Sequence, residues 1–414
     1  MLTSPTTDAT SARLRPAASA AHDRPITTLL PIMAVVLIAF LVIGLALPVL
    51  PLHVHQGLGL GTFVVGLVAG SQFAAALLSR VWSGRYADGR GAKRAVVAGL
   101  LAAAAAGLLY LLSLRFIGAP WVSAAILLLG RGLLGAAESF IITGAVSWGL
   151  ALAGPERAGR VIAWIGMAMF VALAVGAPLG TALYAAGGFA AVAAATVLVP
   201  LGTILLAAPL PSVPPPGGAR PSLLTVARAV WMPGLGSALS SIGFGAIIAF
   251  GALLSADRGW SPVWLMFSAF AAALVAARLL FGHLPDRLGG ARVALACVLV
   301  EAAGLALIWL APGLAAATAG AALAGFGYAL VYPGLGVEAV RRAPPQSRGL
   351  AMGAYTSCLD VALGFGSPAL GLVAGWAGLG SVFLAGALAV LCAAAVALRL
   401  ARAAPQATND RISG

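Results

Sequence analysis

Charge is scarce in this sequence. Only 8% of the 414 residues are charged, and just 11 are acidic against 24 Lys and Arg. Soluble domains carry about 25% charge, so that class is excluded. The net charge of +13 does not point to nucleic acid, because the basic residues lie in short segments between apolar runs and form no single stripe. Histidine is almost absent: there are four, none central to an apolar run, and no Cys/His ligand spacing occurs. No metal and no cofactor are therefore expected. The cluster that a membrane-embedded hydrolase or transferase needs is missing too, so no enzyme is expected. The three cysteines, Cys297, Cys358 and Cys392, each fall in an apolar run and read as packing residues rather than disulfide partners. No Gly-x-x-x-x-Gly-Lys-Ser/Thr occurs, which excludes direct use of ATP through a phosphate-binding loop.

What the sequence has in abundance is long apolar runs, with 61% of residues hydrophobic. A helix needs about 20 mostly apolar residues to cross a bilayer. Twelve stretches qualify: 29–54, 61–83, 94–114, 119–148, 159–185 and 189–209, then 231–254, 261–282, 291–311, 315–340, 349–374 and 378–401. Residues 1–28 are polar and read as a disordered tail, and 403–414 as a second tail. The run that follows the first tail is too long for a signal-peptide core and lacks a small-residue cleavage site. Between the halves, Pro211, Pro214, Pro215, Pro216, Gly217 and Gly218 cannot continue a helix, so 211–230 reads as a linker. The expected domains are 29–210 and 231–402.

One loop occurs twice. Gly84, Asp88, Gly91 and Arg94 recur 198 residues later as Gly282, Asp286, Gly289 and Arg292, each set preceded by an arginine, Arg80 or Arg278. A repeat of nearly half the chain suggests a duplicated membrane bundle. The loop resembles the Gly-x-x-x-Asp-Arg-x-Gly-Arg-Arg signature between helices 2 and 3 of major facilitator transporters, whose weaker copy lies between helices 8 and 9. Gly89 stands where that family usually has Arg, and Ala92 interrupts the basic pair. The likeness runs over roughly residues 29–402 and is similar, within the superfamily, to the bacterial YhhS/YfcJ-type permeases. It implies an all-α polytopic fold of twelve transmembrane helices in two pseudo-symmetric six-helix bundles. It also implies a conformational latch made of Arg80, Gly84, Asp88 and Arg94, repeated in Arg278, Gly282, Asp286 and Arg292. In that latch Gly84 lets spans 2 and 11 approach, and Asp88 meets the positive end of a helix near Ser347–Leu350.

Other elements point the same way. Span 1 ends in Leu47-Pro48-Val49-Leu50-Pro51, an ending similar to that of drug/proton antiporters. His53 and His55 follow it and read as surface positions. Span 5 carries Gly176, Pro178 and Gly180, and span 11 carries Gly366 and Pro368, 190 residues on. Small residues let helices pack closely and proline bends them. These positions resemble the Gly-Pro element of antiporters, with one extra residue inside it. A close-packed interface between the halves would need the same residues.

A charge at the bilayer centre costs roughly 2.5–3.5 kcal/mol, so each one asks for a role. Four stand well inside the spans: Arg131, Glu138, Glu301 and Asp360. Arg131 and Glu138 are seven residues apart, which puts them on one helix face about 10 Å apart. Arg131 begins an element similar to the span-4 Arg-x-x-x-Gly of proton-coupled facilitators, where the Arg lines the cavity. Arginine keeps its charge and cannot itself carry the proton. Arg131 with one acid, Glu138 or Asp360, is the expected coupling pair. Glu301 reads as a packing acid. Gln72, Trp164, Ser237, Ser240, Ser241, Tyr328 and Tyr332 are softer cavity candidates, each equally able to bond between helices.

These features imply a secondary transporter working by alternating access between two bundles. Proton-coupled efflux of a small sugar-like or drug-like solute is favoured. Proton-linked uptake and facilitated diffusion are the rivals, with a non-transporting receptor or scaffold the reading from another class. The partners are the solute, protons and the lipid bilayer, and the chain is expected to be a monomer in the bacterial inner membrane. With both termini cytoplasmic, 21 of the 24 basic residues fall inside, leaving Arg115 and Arg258 outside and Arg131 in the membrane. A cytoplasm-active reporter fused after Gly414 should therefore work. One inserted at Gly187–Gly188 should be silent, and an active periplasmic reporter at the C-terminus would overturn this topology.

Overall fold

The computed structural model describes residues 24–154, 158–213, 223–343 and 348–403. In a bilayer each backbone N–H and C=O must find a partner within the chain, and a helix does this within one segment. The apolar runs accordingly form helices: α1 Arg24–Leu52, α2 Thr62–Arg90, α3 Ala92–Ser113 and α4 Pro120–Ala153. The segment Ala158–Ala207 is broken at Gly187 and Gly188 into two limbs, α5 (158–186) and α6 (189–207). Then follow α7 Leu223–Asp257, α8 Leu265–Phe281, α9 Gly290–Leu310, α10 Leu314–Arg342, α11 Arg348–Ala377 and α12 Leu379–Ala403. The described residues thus hold twelve long helices, of which α8, at 17 residues, is the shortest. No strand occurs among them.

Two boundaries differ from the sequence reading. The first helix begins at Arg24, inside the segment read as a tail. Likewise α7 begins at Leu223, inside the segment read as linker. The remainder of both tails and residues 214–222 lie outside the described residues. His53 also departs from expectation. It is buried in a π-helical turn that continues α1 and stacks on Phe189 at 4.1 Å.

The two halves pack alike. In the first, α4 packs on α2 and α3, and α5 on α1; in the second, α10 packs on α8 and α9, and α11 on α7. The repeated loop has a backbone cause. Gly91 and Gly289 both have positive φ, at 98° and 91°, which a side chain would strain. Gly91 lets α2 end and α3 begin within a residue, and Gly289 does the same between a five-residue helix, Leu284–Leu288, and α9. Lys93 then donates to the carbonyls of Ala208 and Leu210, at 2.7 and 2.6 Å, neutralising the C-terminal end of α6.

The halves meet along α2–α11 and α5–α8, with α1 against α7. The α2–α11 seam is tightest far from the repeated loops. A Cβ at Gly66 would collide with the Ser367 carbonyl, and one at Gly70 would stand 2.5 Å from Gly364 O. Thr62 Oγ1 donates to Gly371 O at 2.8 Å. Gly84 was expected to carry this approach and does not: a Cβ there meets nothing within 4 Å. The reason is that α2 and α11 touch at the end opposite the loops and part towards them. The Ser347 side of the expected Asp88 contact, and the side chains through Leu350, lie outside what is described.

The proline-glycine elements also pack differently from the inter-half reading. Gly176 and Gly180 lie against Gly44 and Leu45 of α1, within their own half. Gly366 faces Ile242 of α7, again within its half, whereas Pro368 crosses to Gly66 and Gly70. Because its Cβ would meet backbone, Gly66→Ala should destabilise the closed end by about 1–3 kcal/mol. A cysteine at Leu50, in a background lacking the three native cysteines, should then become more reactive to an impermeant maleimide added on that side. Unchanged labelling of folded protein would show that the seam does not hold this end shut.

Candidate functional site

Between the halves lies a cavity containing about 1260 Å³ of atom-free space, counting the part open to solvent. Leu47, Phe73 and Ile248 line its deep end, while Val146 and Ile162 line the side towards the repeated loops. Most of the wall is apolar, which suits a site that binds by shape and fixes orientation with a few polar groups. The polar groups of the first half are Gln72, Arg80, Glu138 and Ser139. Those of the second are Arg278, Tyr328, Tyr332, Thr356 and Asp360.

Arg80 Nε donates to Asp360 Oδ2 at 2.5 Å, so the bond joins α2 to α11 across the halves. The Asp360 side chain is 3% exposed and that of Arg80 25%. Removing one partner of a fully buried pair costs about 3–5 kcal/mol, and Arg80's partial exposure lowers that figure. Glu138 accepts from Gln72 Nε2 at 2.6 Å, which orients its carboxylate on the cavity wall. Below it, Ser83 meets Ser139 at 3.1 Å and Thr143 at 3.2 Å, tying α2 to α4.

The second half is built differently. Phe244 stacks on Phe270 and Tyr328, with centroids 5.4 and 5.2 Å apart. The Tyr332 hydroxyl meets Thr356 Oγ1 at 2.6 Å, and Tyr355 donates to the Tyr332 carbonyl at 2.8 Å. Arg278 Nε donates to Ala329 O at 3.1 Å, and its guanidinium lies over the Phe170 ring at 4.7 Å.

Of the expected coupling residues, the two acids line this cavity and the arginine does not. Arg131 does not line this cavity, and Asp360 pairs with Arg80 instead. Arg131 is buried in a separate recess with Leu50, Pro51, Val65 and Val68. Leu47, Phe73 and Ile248 line both spaces and so partition them. Among the described residues, the Nε and Nη1 of Arg131 have no hydrogen-bond partner. Glu138 and Asp360 do line the main cavity, as do Gln72, Tyr328 and Tyr332. Ser240 instead donates to Glu301 at 2.5 Å, holding α7 to α9, and Ser241 bonds Tyr328 at 3.2 Å.

Arg80 and Arg278 were grouped with the loops by sequence and prove to be cavity residues. The available signal was their place one helical turn before each repeated glycine, still within an apolar run. The other loop residues are outside the cavity, with Arg94, Gly282, Asp286 and Arg292 all exposed.

Comparison with known proteins agrees with this architecture. The model of the Major Facilitator Superfamily matches residues 32–264 and 234–413. An uncharacterized MFS-type transporter of Salmonella typhimurium is 44% identical over 375 residues, covering 91% of this chain and 97% of the relative. The uncharacterized MFS-type transporter YhhS of Escherichia coli is 41% identical over 375 residues, covering 91% and 93%. Among solved structures, the nucleoside transporter NupG aligns with a TM-score of 0.69 at 15% identity, covering 91% of this chain and 99% of that one. The human organic anion transporter MFSD10 aligns with a TM-score of 0.66 at 17% identity, covering 90% and 99%. A bacterial homolog of the human lysosomal transporter Spinster, solved inward-facing and unoccupied, gives 0.68 at 16% identity, covering 91% and 97%. Twelve helices in two like-packed halves around a central cavity, with family matches along nearly the whole chain, make this a multi-pass membrane protein of the major facilitator superfamily.

Proposed function

We propose that the protein is a proton-coupled secondary transporter that exposes its cavity alternately to the two sides of the bacterial inner membrane. The observation that carries this reading is the Arg80–Asp360 bond, an ion pair that joins the halves at the cavity wall. Protonating Asp360 would remove its charge and release Arg80. The α2–α11 contact would then be free to loosen at one end and form at the other. Glu138, on the same cavity, is the second candidate for the proton. Arg131 acts, in this reading, when the Leu47–Phe73–Ile248 partition opens and its recess joins the path.

The distribution of Lys and Arg supports cytoplasmic termini and cytoplasmic repeated loops. The cavity is then inward-open in this structure. The latch completes the cycle: Asp88, with Gly84, Arg94 and their repeats, holds the cytoplasmic end shut in the opposite state. Asp88→Asn should therefore favour the inward-open state, read as increased labelling of a cysteine at Ile162 from the cytoplasm. Equal labelling of the variant and the parent would remove the latch.

The solute is a small organic molecule, and the protein works as a monomer without enzymatic chemistry. The fold neighbours named for nucleoside and organic-anion transport show the range of solutes that this fold accommodates. Efflux is favoured by the span-1 and span-5 likenesses, with proton-linked uptake as the rival. A solute would first be found by the rise it causes in melting temperature, since a ligand of the native state stabilises it. In liposomes, Asp360→Asn should abolish flux driven by a pH gradient but preserve solute-for-solute exchange, which needs no change of protonation. If Glu138→Gln uncouples while Asp360→Asn does not, the proton site moves to α4. Gradient-driven flux in both single variants and in the double variant would make facilitated diffusion the better reading.

A further inference from the structure

The two halves of the cavity carry the same arginine in different company. Arg80 and Arg278 are 198 residues apart, each four residues before the repeated glycine. Arg80 reaches across the interface to Asp360 of α11. The pseudo-symmetric contact is Arg278 reaching across to α5, where the position 190 residues before Asp360 is Phe170. An aromatic ring attracts a guanidinium by about 0.5–2 kcal/mol but does not neutralise it. The Ala329 carbonyl takes one N–H, from Nε. Among the described residues no carboxylate pairs with Arg278.

The Arg278 side chain is half-buried on the cavity wall, and a Cβ on Gly166 of α5 would stand 3.7 Å from Nη1. Tyr328 and Tyr332 line the same wall, and Phe170 and Phe244 supply flat apolar surface beside them. An arginine in this setting is always charged, and keeping it in a membrane interior without a counter-ion is costly. A bound anion would remove that cost and gain charge-assisted hydrogen bonds from a planar fork of donors.

The geometry points to Arg278 as the anchor of the transported solute, which is a small organic anion. Its carboxylate or phosphonate group docks on the guanidinium, and its apolar body lies against Phe170 and Phe244. This assignment deepens the transport reading and rests on it for the word transported. Phe170 sets the specificity, because it occupies the place where the other half supplies a carboxylate.

The test uses purified full-length protein and matched probes. Benzoate, 4-hydroxybenzoate and phenylphosphonate are compared with benzamide and methyl 4-hydroxybenzoate by thermal shift and calorimetry. At least one anion should bind, and the neutral isosteres should not. Arg278→Gln should weaken the bound anion by at least about tenfold, with Arg278→Lys between it and wild type. The decisive variant is Phe170→Asp, which leaves Arg278 in place and gives it the missing counter-ion. It should lose anion binding while still giving a cooperative melting transition without ligand, and Phe170→Leu, which adds no charge, should bind anions more weakly than wild type but more tightly than Phe170→Asp. Equal binding of neutral isosteres, no binding by any anion, or wild-type anion binding by Phe170→Asp would each overturn the assignment. The transport reading is checked separately and without solute. A cysteine at Ile162 is followed in proteoliposomes, with and without a pH gradient. If anions bind through Arg278 but labelling never changes with the gradient, the anion site stands and proton-driven alternation falls.

Discussion

Arg80 and Asp360 come from different halves of the chain, and their ion pair sets the rules for the rest of the cavity. A carboxylate buried at this depth is tolerated because a cation reaches it. In the proposed cycle that same dependence makes the contact switchable, since a single proton on Asp360 would remove its reason for forming. A hydrophobic contact in the same place would be just as permanent in either protonation state. The polar wall around it follows suit. Gln72 holds Glu138, and Ser83 holds the α2–α4 contact.

The ion pair can matter mechanically only because the adjoining seam is made of glycine and proline. From Thr62 to Gly70 on α2, and from Gly364 to Gly371 on α11, backbone lies against backbone. Such a contact is strong in dispersion and lacks interlocking side chains, so it can separate without large repacking. Within each half the same backbone-on-backbone packing recurs. The lock of Gly176 and Gly180 on α1, and of Gly135 on the Gln72 backbone, binds each bundle into a unit.

Duplication supplied the frame, and divergence supplied the chemistry. Gly135 packs on Gln72 as Gly325 packs on Phe270, so the same helix contact is kept in both halves. Along it the first half has a hydrogen-bonded amide and acid, and the second has Phe270 beside Tyr328. Acid and aromatic are likewise exchanged between Asp360 and Phe170, opposite the two equivalent arginines. The result is a cavity whose two walls each carry one arginine and one acid, in different company, while their backbones match.

The twelve helices were legible because a bilayer forces every span to declare itself as an apolar run, whatever its neighbours do. The turn between α2 and α3 was legible as well, since Gly91 and Gly289 mark a backbone conformation that few other residues adopt. Both termini of that inference are local: each depends on residues adjacent in the chain. The cavity is not local. Helical period puts Arg131 and Glu138 on one face of α4, yet it says nothing of how far along the membrane the partition of Leu47, Phe73 and Ile248 falls. The partition places the two residues in different spaces. Arg80 read as part of a loop because one helical turn separates it from Gly84, and only the packing of α11 against α2 brings Asp360 to it across 280 residues. Sequence fixes which residues can lie in a membrane and which face of a helix they share. Which charge meets which is decided by the rotation and depth of one helix against another, and those are set by the summed packing of side chains that are individually uninformative.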